Sequence, residues 1–230
     1  MPSPFQPNPR LPHAAMVTDS WLQPHLVAVL RDRGQAVLES WQKLANQDGG
    51  MKNFENWVLV ELHHELLQKG FVVRVNGFWK FDGQGILQPV KVKAADVCGL
   101  RGSKAKATHL SADLSVWMPG PQAASQGCFI AELKTGISRN ELGNDLTLVH
   151  HYRERGIAAR AELGWIVLLP EERTARAKRE DAFEAACDKL TGTSCGCSVF
   201  SERIDDWIIA SVVVPNSSPI QEPPSQPEER

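Results

Sequence analysis

Asp113, Glu132 and Lys134 are the residues whose types and spacing could do chemistry. Asp113 lies in Leu110-Ser111-Ala112-Asp113-Leu114-Ser115-Val116-Trp117. Glu132 and Lys134 lie in Cys128-Phe129-Ile130-Ala131-Glu132-Leu133-Lys134-Thr135-Gly136. Both stretches read as strands, joined by a turn-rich linker from Met118 to Gly127 that suits a hairpin. Residues two apart on a strand share a face, so Glu132 and Lys134 project together while Leu133 turns away. With an antiparallel neighbour, Asp113 lies across from Glu132. Two carboxylates about 4 Å apart repel by roughly 4 kcal/mol at an effective dielectric near 20. Such a pair persists with a proton or a cation between its members. Mg²⁺ suits that place, because it is hard, takes oxygen ligands and keeps several waters. It can polarise a phosphoryl oxygen, lower the pKa of its water and orient the attack. Lys134 could then hold or deprotonate that water, or offset charge on the pentavalent phosphorus. The chemistry implied is hydrolysis of a phosphate ester.

A bare Glu-x-Lys is common, so the context carries the specificity. Phe129-Ile130-Ala131 sets Glu132 at the end of a buried strand, and Asp113 sits between apolar runs. Charges in apolar strands cost free energy unless paired or coordinated. The competing reading makes Glu132 and Lys134 surface neighbours on an edge strand and Asp113 a turn residue. In this context Asp113 and Glu132-Leu133-Lys134 resemble the PD-(D/E)xK nuclease superfamily, over roughly Asn53 to Pro170. Ala112 stands where that motif has proline. The resemblance implies an α/β fold with a restriction-endonuclease-like core: helix, three antiparallel strands, helix, strand, in a mixed central sheet flanked by helices. It implies Mg²⁺ or Mn²⁺ held by Asp113, Glu132 and the backbone carbonyl of Leu133, with Lys134 beside the attacking water. Similar proteins often add a helix glutamate. Of Glu55, Glu61 and Glu65, Glu61 is the first choice here, next to the Trp57 region and one turn before Glu65.

The elements that must position these groups are legible in outline. Val58, Leu59, Leu62 and Leu66 form one stripe of a helix from Phe54 to Lys69, with Asn53 as N-cap and Gly70 as stop. A second helix runs from Ser138 or Asn140 to Arg155, ended by Gly156, with Leu142, Leu146 and Val149 facing the sheet. Asp145 and Tyr152 on it are polar without an evident role. Leu163 to Pro170 is a continuous apolar strand suited to a central position. Trp207 to Val214 extends the sheet. A helix from Gln23 to Ala45, with Val27, Leu30, Val37, Leu38, Trp41 and Leu44 on its apolar face, pads the core or makes a homodimer. Asn46 to Gly50 breaks it. His63-His64 and His150-His151 are adjacent pairs about 100° apart on their helices, unlike the i, i+4 spacing of helical zinc sites. They read as surface or groove residues.

The chain of 230 residues suffices for one domain with a real core, placed at 17–214. Residues 1–16 and 215–230 are proline-rich, polar tails expected to be disordered. No secretory signal and no membrane-length apolar run is evident, so the expected location is the cytoplasm. A net charge of −2 argues against indiscriminate DNA binding by the whole surface. The partner is nonetheless expected to be DNA, met locally by Lys91, Lys93, Arg101, Lys104 and Lys106 just before the Asp113 strand. Arg173, Arg176, Lys178 and Arg179 alternate with acids and read as a salt-bridged helix. Cys98, Cys128, Cys187, Cys195 and Cys197 are an odd number in a chain without an export signal, which suggests reduced thiols. Against the nuclease stand two alternatives: a catalytically silent module of the same fold that binds nucleic acid or a protein, and a structural protein with decorative acids.

Overall fold

The computed structural model describes residues 19–45, 51–82, 84–119, 127–136, 139–192 and 196–214. Both expected tails, the Asn46–Gly50 break, Ser138, Cys195 and most of the linker after Trp117 lie outside the described residues. So do the side chains of Val37, Leu38, Trp41, Leu44, Asn53 and Asn140.

Two long helices open the chain. α1 (Gln23–Ala45) is entered through Ser20, whose Oγ accepts the Gln23 amide at 2.9 Å, the Ser-x-x-Gln arrangement of a helix start. Leu22, Leu26 and Leu30 follow at four-residue spacing and are fully buried. α2 (Met51–Gln68) begins two residues before Asn53, so Asn53 is not its cap; Met51 and Lys52 are good helix formers and extend the first turn. Val58, Leu59, Leu62 and Leu66 are buried as the stripe requires, joined by Phe54. Gly70 ends the helix at φ +83°, its amide bonding Leu67 O and that of Phe71 bonding Leu66 O. These are the paired bonds of a left-handed C-terminal turn, which glycine adopts without a Cβ penalty.

A mixed sheet of six strands forms the centre. β1 (Val72–Val75) pairs antiparallel with β6 (Leu114–Trp117), and β6 antiparallel with β7 (Phe129–Thr135). α4 (Arg139–Glu154) then leads to β8 (Arg160–Leu168), which lies parallel to β7. α5 (Arg173–Gly192) and the hairpin β9 (Ser198–Ile204) and β10 (Trp207–Val213) complete the chain, with β10 antiparallel to β8. The expected α/β class with a mixed sheet flanked by helices is what forms. β8 is buried at nearly every position and β10 at all of them, as their apolar runs required.

The sheet has two apolar faces. Val73, Leu114, Val116, Ala131, Leu133, Ile166, Trp207 and Ile209 pack under α1 and α2. Ile130, Leu163, Trp165, Val167, Ile208, Ala210 and Val212 pack under α4 and α5, against Leu148, Val149, Tyr152 and Phe183. α1 thus pads the core with its described residues. Gly164 lies on the α1 side, where a Cβ would stand 2.8 Å from Leu133 Cδ2 and 2.9 Å from Leu26 Cδ1. Two positions earlier, Glu162 is wholly buried on that same side. It accepts hydrogen bonds from Ser20 Oγ at 2.7 Å, Leu22 N at 3.2 Å and Ser211 Oγ at 2.9 Å, and pairs with Arg160 at 3.1 Å. The sequence does not single this residue out, because the continuous apolar run begins one position later, at Leu163.

Between β1 and β6 the chain inserts a hairpin, β2 (Phe78–Phe81) with β3 (Leu87–Val90), and a short pair, β4 (Val92–Lys93) with β5 (His109–Leu110). A 3-10 turn (Ala94–Asp96) and the five-residue α3 (Gly102–Lys106) lie within the second pair. Phe78 against Tyr152, and Phe81 against Trp117, dock this insert on the α4 side of the sheet. The helix α5 is salt-bridged as expected, with Arg176 reaching Glu180 and also Asp206 in the β9–β10 turn. Of the described cysteines, Cys98, Cys128 and Cys187 are free thiols.

Candidate active site

The expected strand from Leu110 to Trp117 is interrupted. β5 stops at Leu110, β6 starts at Leu114, and Asp113 occupies the bend between them. The reason lies in the hydrogen bonds. β6 pairs with β7 up to Leu114 opposite Ala131, where its main-chain ladder ends. The Asp113 carboxylate replaces the next rung by accepting the Leu133 amide at 2.7 Å. A strand residue sends its N–H and C=O towards the same edge, so the Leu133 carbonyl faces the Asp113 side as well. Across the pair, Glu132 and Lys134 project on the α4 face, the alternation expected of β7.

Asp113, Glu132, Leu133 and Lys134 line one cleft of about 220 Å³, together with Glu55, Ser103, Lys104, Asn144 and Asp145. The three residues singled out by spacing therefore converge. Glu132 is 2% exposed. Its Oε1 accepts the Tyr152 hydroxyl at 3.2 Å, and its Oε2 stands 3.9 Å from Lys104 Nζ. Lys104 is also ion-paired with the buried Asp145. Lys134 lies 3.9 Å from Glu55 Oε2, which also accepts the Thr135 amide at 3.3 Å. α2 thus lends its first turns to the end of β7.

The electrostatics follow from this crowding. Burial pushes the Asp113 carboxyl up to about 6, against the pull of the Leu133 amide. Burial, and next the charge of Asp113, hold Glu132 well above the carboxylate range. Burial also raises Glu55, opposed by Lys134. At Lys104 burial works against the charge, but Glu132 and Asp145 outweigh it and the ammonium is held above its ordinary value. Burial and the neighbouring Glu132 lift the Tyr152 hydroxyl far above the usual phenol range. Four carboxylates and two ammonium groups line the cleft, so with all six ionised it carries a formal charge of −2.

Glu61, the helix glutamate favoured by sequence, is not among these groups. It is ion-paired with Arg33 and lines a separate recess between α1 and α2 with Asp32, His64 and Glu65. Six residues are about one and two-thirds helical turns, so Glu55 and Glu61 point to different sides of α2. Glu65 pairs with Lys69 in the same region, at 2.6 Å. Of the five basic candidates, Lys104 enters the cleft, whereas Lys91, Lys93, Arg101 and Lys106 are exposed on the insert. The histidine pairs lie elsewhere: His64 lines the α1–α2 recess, and His150 Nε2 sits 3.6 Å from Cys197 Sγ.

Asp145 and Tyr152, whose role the sequence leaves open, both take part in the site. Leu142, Asp145, Val149 and Tyr152 follow one another at three, four and three residues, which is a single helix face. Asp145 and Tyr152 break an apolar stripe, and that interruption was the available signal. Among the described residues no three His, Cys, Asp or Glu side chains converge closely enough to hold a metal alone. A cation here would draw on two carboxylates, the Leu133 carbonyl and water. No protein-family model, curated protein or solved structure matches this chain.

Proposed function

We propose that this protein is a divalent-metal-dependent phosphodiester hydrolase acting on DNA, with the site plan of the PD-(D/E)xK nucleases. The observation that carries the reading is the convergence of Asp113, Glu132, Leu133 and Lys134 in one cleft that has an excess of negative charge. The succession α2, β1, β6, β7, α4, β8 supports it, being helix, three antiparallel strands, helix and strand.

The donor set fits a hard divalent cation. Burial holds the Asp113 and Glu132 carboxyls above their ordinary values, a cost that a bound cation would offset, and oxygen is the only donor type they and Leu133 offer. Asp113, Glu132 and the Leu133 carbonyl would hold Mg²⁺ or Mn²⁺, which when bound supplies Lewis acidity and an acidified water. The chain's own residues do the rest. The Leu133 amide fixes the Asp113 carboxylate, and the Tyr152 hydroxyl fixes that of Glu132. Glu55 steers Lys134, whose ammonium orients the attacking water and offsets charge growing on the phosphoryl oxygens. Exposed Lys91, Lys93, Arg101 and Lys106 offer contacts to a phosphate backbone passing the insert.

The test is cleavage of plasmid DNA with Mg²⁺ or Mn²⁺ against an EDTA control, for the wild type, Glu132→Gln and Lys134→Met. Each variant should lose roughly a hundred- to thousandfold in rate while keeping a cooperative melt. Variants that cut as fast as the wild type would sink the assignment. Absence of metal binding by calorimetry would leave the catalytically silent module in its place.

A further inference from the structure

Lys104 stands apart from the other groups in the cleft because of how it arrives there. The other charged groups come from α2, β7, α4 and the bend before β6, whereas Lys104 comes from the insert, as does its neighbour Ser103. Its carrier, α3, is five residues long and contains no buried residue. Two kinds of polar contact seat it. Arg101 N–H donates to Asn144 Oδ1 at 2.9 Å while Asn144 Nδ2 donates to Arg101 O at 3.2 Å. The Lys104 ammonium enters between two buried carboxylates, paired with Asp145 and 3.9 Å from Glu132. Segments with few buried apolar contacts open at low free-energy cost. The ammonium therefore sits between buried carboxylates on an element that polar contacts, not apolar burial, hold in place.

We propose that Lys104 is a tethered cation that competes with the divalent metal for Glu132, so that metal loading expels Lys104 and releases α3 from the cleft. The proposal rests on the metal-site reading above and adds a determinant of the site's affinity. An ammonium 3.9 Å from Glu132 Oε2 and a divalent ion bound to that carboxylate would repel each other across the same small volume. The apparent affinity for metal is then reduced by the fraction of molecules in which Lys104 is withdrawn. With Lys104 seated nine-tenths of the time, the penalty is about tenfold. Once expelled, the ammonium would join the exposed Arg101 and Lys106 of the same short segment as a group available to a phosphate. The insert would thereby couple metal loading to exposure of a cationic rim.

Calorimetry of Mn²⁺ binding at pH 8 tests this with the wild type and Lys104→Met, which keeps length and removes charge. Hydrogen exchange of residues 102–107 in the wild type, with and without Mn²⁺, supplies an independent readout. Lys104→Met should bind Mn²⁺ about tenfold more tightly, and the 102–107 amides of the wild type should exchange faster with metal. Equal or weaker binding by a folded Lys104→Met overturns the proposal. Should that variant not fold, exchange in the wild type decides, and unchanged or slower exchange overturns it. If the wild type and the variant both fold and neither binds Mn²⁺, the metal-site reading itself fails and takes this one with it.

Discussion

Asp113→Asn should make the metal-free protein more stable, and the size of the gain can be worked from the site. Asp113 has an ordinary pKa of 3.8 and is held at about 6 in the folded chain. The folded state therefore keeps its proton to higher pH than the unfolded state does. Stability contributed by this group is fully present below about pH 4 and is lost as pH rises through 6. The full loss is about 3 kcal/mol, at 1.36 kcal/mol for each pH unit. Partial exposure of the side chain trims this figure. Asparagine keeps an oxygen for the Leu133 amide, and the pull of that amide on the carboxylate is already contained in the value of about 6. A net gain of about 1–2 kcal/mol is expected at pH 8 in EDTA, shrinking towards zero or a slight loss at pH 4. For a domain of this size that is roughly 2–8 °C in Tm. Saturating Mn²⁺ should reverse the order, because a ligand at a hundred times its Kd stabilises the wild type by about 2.7 kcal/mol, and the variant lacks a ligating carboxylate. Urea denaturation at pH 4, 6 and 8, with and without metal, reads all of this. A destabilised Asp113→Asn at pH 8 in EDTA, or a difference indifferent to pH, would refute the reasoning.

Two further contrasts follow from the geometry. Glu55→Gln should slow cleavage by about tenfold or more through a misplaced Lys134, whereas Glu61→Gln should leave both cleavage and Mn²⁺ affinity at wild-type values; equal effects in the two would count against Glu55 as the helix acid of the site. Glu162→Ala should cost about 3–5 kcal/mol in urea denaturation, since it strands Arg160, two serines and the α1 entry amides without their shared acceptor; a loss under 1 kcal/mol would mean that water replaces the carboxylate freely.

The parts of the fold legible in the sequence were those set by repetition. The stripe Val58, Leu59, Leu62, Leu66, the apolar run at 163–168 and the alternation around Glu132 each repeat a local period that burial enforces. Convergence of Asp113, Glu132 and Lys134 was legible because a hairpin with period-two alternation leaves few other arrangements. Asp113 as the end of a ladder was not, since a side chain replacing a main-chain rung has no periodic trace. Glu61 was misread because three acids on one helix differ only in angular position, and the docking angle of α2 comes from tertiary packing. Lys104 was assigned to a general basic patch because nothing local tells which of five cations a five-residue helix will carry inward.

The close fit at Gly164 ties the two sides of the sheet together. Leu133 presents its amide to Asp113 at the cleft, while its side chain crowds the missing Cβ of Gly164 together with Leu26 of α1 and Leu22 just before it. The first helix is thus a backstop for the strand that sets the spacing of the acids. Wear at that rear contact, whether from a shortened α1 or a bulkier residue at 164, would be felt as a drift in the position of Asp113 before it was felt as unfolding.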